Sequence, residues 1–240
     1  TPYDPQSPPR TLDDVWPGDA GPRPVGFLRQ PGGMAAAADG TVYLADVERG
    51  MIHVWRDGVF VDVLGSAGSG PGQLSRPHGL ALAGGHLLVA DTGNGRVQRW
   101  STDGRSVAVY EGLGEPWDVA ETADGLMLVS DRAGDRVLVL DEEGRRLGSV
   151  GGTGTEPGRL RGPLGIDAWP DGRFAVVDAG NRRVQVLALD GTPSALITDT
   201  SELPLIDVAV AADNELLVAG LRRVVRYDLA GPIMRAVSGA

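Results

Sequence analysis

The chain has 240 residues, is 42% hydrophobic, and sets 22 basic residues, all arginine, against 32 acidic ones for a formal charge of -10. That apolar content suits a packed globular chain, and the negative balance argues against nucleic acid as a partner, because neutralising phosphates requires positive surface. The lack of cysteine excludes thiol nucleophiles, Cys-ligated zinc, iron–sulfur clusters and disulfides, and no apolar run approaches the roughly 18–20 residues of a membrane-spanning helix.

Residues 1–22, TPYDPQSPPRTLDDVWPGDAGP, are rich in proline and predict an extended, polyproline-like arm. Tyr3 and Trp16 are its natural anchors. Residues 23–33, RPVGFLRQPGG, read as an outer strand followed by a loop into an inner strand.

From there the chain repeats itself. The runs VYLAD, LLVAD, MLVSD and AVVD end at Asp46, Asp91, Asp131 and Asp178, and a weaker LLVAG ends at Gly220. A recurrence of about 40–47 residues is the spacing of propeller blades. Each copy holds four short apolar stretches, in the second copy GLALA, HLLVAD, RVQRW and SVAVY. Turn signals separate them, with an Asp-Gly or a relative at the first and third turns, where positive φ is favoured. Short β-rich runs between such turns predict antiparallel hairpins. Five four-stranded meanders predict an all-β chain, a β-propeller. The expected organisation is the arm over 1–22 and a single propeller domain over 23–240, with repeats at about 31–64, 77–110, 116–150, 163–198 and 204–238.

The residues PHGLAL…LLVADTGNGRVQ (77–98), PWDVAETADGLMLVSDRAGDRVLV (116–139) and PLGIDAWPDGRFAVVDAGNRRVQ (163–185) resemble the NHL family of β-propeller repeats. The first and fifth copies are degenerate. The first has DVERGMI where Asn-x-Arg-Val is expected, and the fifth has Gly220 in place of the Asp. The resemblance implies a propeller that commonly has six blades. Five repeats are counted, so the strand within 23–33 is expected to belong to a sixth, incomplete blade or to be an extra edge of a closed five-bladed ring.

The repeat carries Asp and Arg five apart: Asp91 and Arg96, Asp131 and Arg136, Asp178 and Arg183. Asp can accept turn amides and Arg can reach a carboxylate in a bidentate pair, so these read as structural staples of the blade. Numbering strands a to d from the axis outward, the a–b and c–d turns put Asp39, Asp57, Asp103, Asp124, Asp171 and Asp190 on one face. The long loops 65–77 and 151–163 lie on the other, with Arg96, Arg136, Arg182 and Arg222 as binding-face candidates. Where each repeat enters strand a, His78, Trp117, Asp118 and Asp207 depart from the small or apolar residues used elsewhere. They are the candidates for a ligand or cation site at the channel mouth.

Some NHL-like propellers are amidating lyases with a His-ligated metal, and related six-bladed enzymes hydrolyse lactones at a carboxylate-bound metal. This chain has only His53, His78 and His86, which the strand order spreads apart. The leading expectation is therefore a non-enzymatic interaction or sensor propeller with a protein partner. The alternatives are a metal-dependent lyase or lactone hydrolase at the central channel, and an accessory subunit of a larger complex anchored by the arm. No cofactor is required, and a cation in the channel stays open. With the start at Thr1 and the proline-rich arm, the resemblance points to an extracytoplasmic setting: periplasmic, extracellular or membrane-associated.

Overall fold

The computed structural model describes residues 28–198, 204–211 and 214–229, and the backbone of 235–237. The arm with Tyr3 and Trp16, and the outer strand expected from residue 23, lie outside the described residues. The chain divides into two compact units, Thr1–Gly112 and Leu113–Ala240.

In the first unit, β1 (Pro31–Ala36), β2 (Thr41–Asp46), β3 (Met51–Arg56) and β4 (Val59–Leu64) form an antiparallel sheet in chain order, blade 1. A short parallel pair, β5 (Ser66–Ala67) and β6 (Gln73–Leu74), frames the loop that follows. Blade 2 is β7 (Pro77–Ala83), β8 (His86–Asp91), β9 (Arg96–Ser101) and β10 (Ser106–Tyr110).

The second unit holds three more such sheets. Blade 3 is β11 (Pro116–Glu121), β12 (Met127–Asp131), β13 (Arg136–Leu140) and β14 (Arg146–Gly151). Blade 4 is β15 (Pro163–Ala168), β16 (Phe174–Asp178), β17 (Arg183–Leu187) and β18 (Pro193–Ile197). Blade 5 is β19 (Leu205–Val210), β20 (Glu215–Gly220), β21 (Val224–Asp228) and β22 (Arg235–Val237). Five four-stranded antiparallel meanders make this the β-propeller fold that the repeat count predicts.

The local chemistry explains each sheet. Proline opens the first strand of four blades, where that edge of the sheet needs no amide donor. The register then shifts just inside the first strand in all five, at Pro31/Met34, Pro77/Leu80, Pro116/Asp118, Pro163/Ile166 and Leu205/Asp207. Asp57-Gly58 closes the third turn of blade 1 with φ of 50° and 76°, the doubly positive pair a two-residue hairpin demands.

The core lies in layers between consecutive sheets. Ile52, Leu64, Leu80, Leu87, Val89 and Trp100 join blades 1 and 2. Leu128, Val137, Ile166, Phe174 and Leu187 join blades 3 and 4, and Val177, Val184, Leu216, Val218 and Tyr227 join blades 4 and 5. Each such side chain contributes about 1.5–3 kcal/mol by leaving water. The middle strands of blades 2 to 4 are nearly fully buried; β12, β13 and β16 read as near-continuous apolar runs, while β9 and β17 bury arginine and glutamine among theirs.

Candidate functional site

In blades 2 and 4 a buried aspartate organises the turn between the second and third strands. Asp91 accepts the Ser75 amide at 2.7 Å, Asn94 Nδ2 at 2.9 Å, Arg96 Nε at 2.7 Å and Gln98 Nε2 at 3.1 Å. Asp178 repeats the pattern with the Arg161 amide at 2.7 Å, Asn181 Nδ2 at 2.9 Å, Arg183 Nε at 2.6 Å and Gln185 Nε2 at 3.0 Å.

The rest of each arginine fork reaches into the preceding loop. Arg96 Nη2 donates to Gly70 O and Gln73 O, while Gln98 Nε2 adds a bond to Gln73 O and its Oε1 accepts the Gly72 amide. Arg183 donates to Thr155 O, Glu156 O and Arg159 O, and Gln185 takes Arg159 O and the Gly158 amide. Two long loops are thus held by buried side chains through their backbone, with Leu74 and Leu160 buried beneath them and Ser69, Thr155 and Glu156 exposed. Gln98 and Gln185 carry this work and were not singled out from the sequence, although RVQ stands in both copies.

Blades 3 and 1 are variations. Asp131 accepts the Glu115 and Gly134 amides and Arg136 Nε at 2.9 Å, but the Arg136 side chain is 34% exposed. Asp135, in the left-handed region at φ 53°, accepts the Gly162 amide at 2.7 Å and Thr153 Oγ1 at 2.6 Å, adding its own hold on the loop before blade 4. In blade 1 Met51 stands where blades 2, 3 and 4 have arginine, and His53 where blades 2 and 4 have glutamine. Asp46 is fully buried, and His53 Nε2 lies 3.6 Å away without a hydrogen bond. Burial pushes the His53 imidazole below its ordinary value.

These contacts settle where the binding-face arginines stand. Arg96 is 4% exposed and its donors are engaged internally, so it has no surface to offer a partner. Arg182 ends the turn of blade 4 in a left-handed conformation and is exposed, as is Arg222. The opposite face is less acidic than its aspartates suggest. Asp103 pairs with Arg105 at 2.8 Å and Asp171 with Arg173 at 2.7 Å, each from its own turn, and Asp39 pairs at 3.5 Å with Arg56 at the end of β3.

The strand-entry residues are divided between the two units. His78 is half-buried in the first unit, with Nδ1 3.0 Å from Arg76 O and 3.1 Å from Thr92 Oγ1. Trp117 lies under the Arg132 guanidinium, 5.1 Å from its ring centre. Asp118 is buried and uses both oxygens on backbone: Oδ1 accepts the Val119 amide at 2.8 Å, and Oδ2 accepts the Ile166 amide of blade 4 at 2.9 Å. Asp167 does the same one blade on, accepting Ala168 and, at 2.7 Å, Val210. Asp207 accepts Val208 at 2.8 Å and lies against Gly165.

Asp118 and Asp167 therefore staple one inner strand to the next, while Asp207 accepts an amide of its own strand. Burial holds all three above the usual carboxylate range, Asp118 furthest, with Asp207 and then Asp167 adding repulsion there. Asp167 was missed in the sequence because it sits one register shift beyond the strand entry. Among the described residues no group of three or more His, Asp or Glu is placed to hold a metal ion. Among them, too, no helix is long and apolar enough to cross a membrane.

The fold is a β-propeller, and residues 74–100 within it match the NHL repeat model. Over 150 residues the chain is 29% identical to the E3 ubiquitin-protein ligase TRIM32 of Homo sapiens, a match covering 55% of this chain and 22% of that protein. The chain thus spans only about a fifth of the relative it matches.

Solved structures of similar fold include a catalytically inactive virginiamycin B lyase from Staphylococcus aureus with quinupristin, at TM-score 0.67 and 15% identity over 86% of this chain and 69% of that one. A protein of unknown function from Bacteroides caccae aligns with TM-score 0.63 at 14% identity over 86% and 81% of the two chains. The WD40 β-propeller domain of Doa1 aligns with TM-score 0.60 at 17% identity over 79% and 60%. At these identities the likeness is one of fold alone.

Proposed function

We propose that this chain is a protein-binding propeller that recognises its partner through the anchored loops 65–76 and 152–162. One observation carries the reading. In blades 2 and 4 the buried Asp–Asn–Arg–Gln set fastens the preceding loop by its backbone carbonyls and amides. A loop fixed in this way loses little further entropy on binding, so more of its contact energy appears as affinity. The exposed side chains Ser69, Thr155 and Glu156 stand on these fixed loops, the usual arrangement of recognition surfaces on rigid scaffolds. The similarity to part of a ubiquitin-protein ligase, an enzyme that acts on proteins, supports the same reading.

The test is a synthetic octapeptide library, each sequence present as a C-terminal acid and a C-terminal amide, probed with the intact chain. Peptides that bind reproducibly and weaken at least about tenfold on Ser69→Arg or Glu156→Arg are expected. Those substitutions change outward side chains and leave the loop anchors alone. No binders, or binders indifferent to both loops, would overturn the proposal.

A further inference from the structure

In the first unit a cleft of about 340 Å³ opens between the second turn of blade 1 and the loop before blade 2. That volume lies within the range of small-ligand sites and has room for two or three residues of a peptide. Ala67 gives it an exposed apolar wall with Val47 and Leu74 buried behind it, and Ser69 and Ser75 stand on its rim. Two charged side chains line it. Glu48 is neutralised by Arg29 at 2.8 Å. Arg76 is exposed, and no described residue pairs with its guanidinium.

Arg76 is also held in an unusual backbone conformation. Its φ is +46°, in the left-handed region that residues with a Cβ avoid. The corresponding position before blade 4 is Gly162, at φ +54°. Its neighbours fix the geometry: the Ser75 amide donates to Asp91 at 2.7 Å, the Gly93 amide donates to Ser75 O at 2.7 Å, and His78 Nδ1 bonds Arg76 O at 3.0 Å. Glycine would sit there without strain, yet the chain keeps an arginine and aims it at a cleft. Strain maintained beside an open cleft is a mark of a functional position.

We propose that this cleft binds a carboxylate of the partner, clamped by the Arg76 fork with the adjoining peptide lying against Ala67 and Ser69. The inference rests on the protein-binding reading above and names the chemistry recognised. A guanidinium matches a carboxylate bidentately. A dianionic phosphate fits worse, because among the described residues the cleft offers one unpaired cation, Arg76, in a chain of net charge -10. The carboxylate comes either from a chain terminus or from an Asp or Glu side chain.

The experiment uses the same acid and amide octapeptide library against the intact chain, Arg76→Gly and Arg76→Glu. Arg76→Gly relieves the backbone strain, so it is expected to melt no lower than the parent while losing about tenfold or more in affinity. Dependence on the C-terminal acid assigns the site to a chain terminus. Binding that survives amidation but is lost when an internal Asp or Glu becomes Asn or Gln assigns it to a side chain. Loop-dependent binders that ignore both Arg76 variants overturn this inference and leave the protein-binding reading intact. A library with no binders overturns both.

Discussion

Arg183 Nε donates to Asp178 Oδ2 at 2.6 Å, and the two side chains are 8% and 0% exposed. Arg136 makes the same bond to Asp131 at 2.9 Å with its side chain 34% exposed. Removing one partner of a buried pair leaves a charge without water or counterion, so Arg183→Ala is expected to cost about 3–5 kcal/mol. The fork of Arg183 also closes three loop carbonyls, which the variant leaves open. At the more exposed position, Arg136→Ala is expected to cost about 1 kcal/mol. Urea unfolding of the two variants measures the contrast. Equal losses would show that burial does not set the value of the pair.

Blade 1 offers the complementary case. His53 stands where blades 2 and 4 place glutamine, its ring is buried, and neither nitrogen finds a partner. Its folded value is depressed from 6.5, chiefly by burial. Below about pH 6.5 the unfolded chain therefore takes up a proton that the folded chain refuses, and stability falls as pH falls. His53→Gln removes this dependence and supplies a donor toward Asp46, for a gain of about 1 kcal/mol at neutral pH. Urea midpoints at about pH 7.5 and 5.5 should separate for the parent more than for the variant. Identical pH slopes would refute the assignment.

The sheets were legible because turn chemistry and burial both write into the sequence. Asp-Gly turns need positive φ, and middle strands covered on both faces favour Val and Leu. The five-residue spacing of Asp and Arg showed the staple, but the loop carbonyls it fastens are distant in the chain and depend on loop conformation. Asp167 and Arg76 were illegible for a related reason. A register shift places the first beside the neighbouring blade, and a left-handed backbone turns the second toward the cleft. Neither feature follows from residue type. Arg76 does stand where the fourth repeat has glycine, a difference between copies that could have marked it.

Gly165 shows how tightly the inner strands of blades 4 and 5 meet. A Cβ on it would run into Asp207 Oδ1 and lie 2.6 Å from Asp207 Cα, closer than any real contact and partly against backbone. Gly165→Ala must therefore push the strands apart and is expected to cost about 1–3 kcal/mol, the usual range for overpacking. Gly148→Ala meets open space on the outer strand of blade 3 and should change stability by less than about 0.5 kcal/mol. Thermal melts of the two alanine variants decide the matter. A neutral Gly165→Ala would mean that the inner strands can separate freely.

Asp207 lies beside the same glycine, and its charge acts on Asp118. Both carboxyls are held above their ordinary 3.8, each chiefly by burial. Below that pH both are protonated whether the chain is folded or not, and they make no difference to stability. As pH rises, the unfolded chain ionises first, so the folded state loses stability until the folded carboxyls ionise as well. Asp207→Asn removes one of these groups and the repulsion it exerts on Asp118, while its amide oxygen can still accept the Val208 amide. The variant is expected to raise the melting temperature at about pH 8 and to leave it unchanged at about pH 3. Asp118→Asn should gain less, because both Asp118 oxygens accept amides and asparagine can replace only one. A fall in melting temperature for Asp207→Asn at the higher pH would mean that Asp207 is stabilised by its charge, and that the inner strands of this unit hold these carboxylates for something other than hydrogen-bonding their backbone.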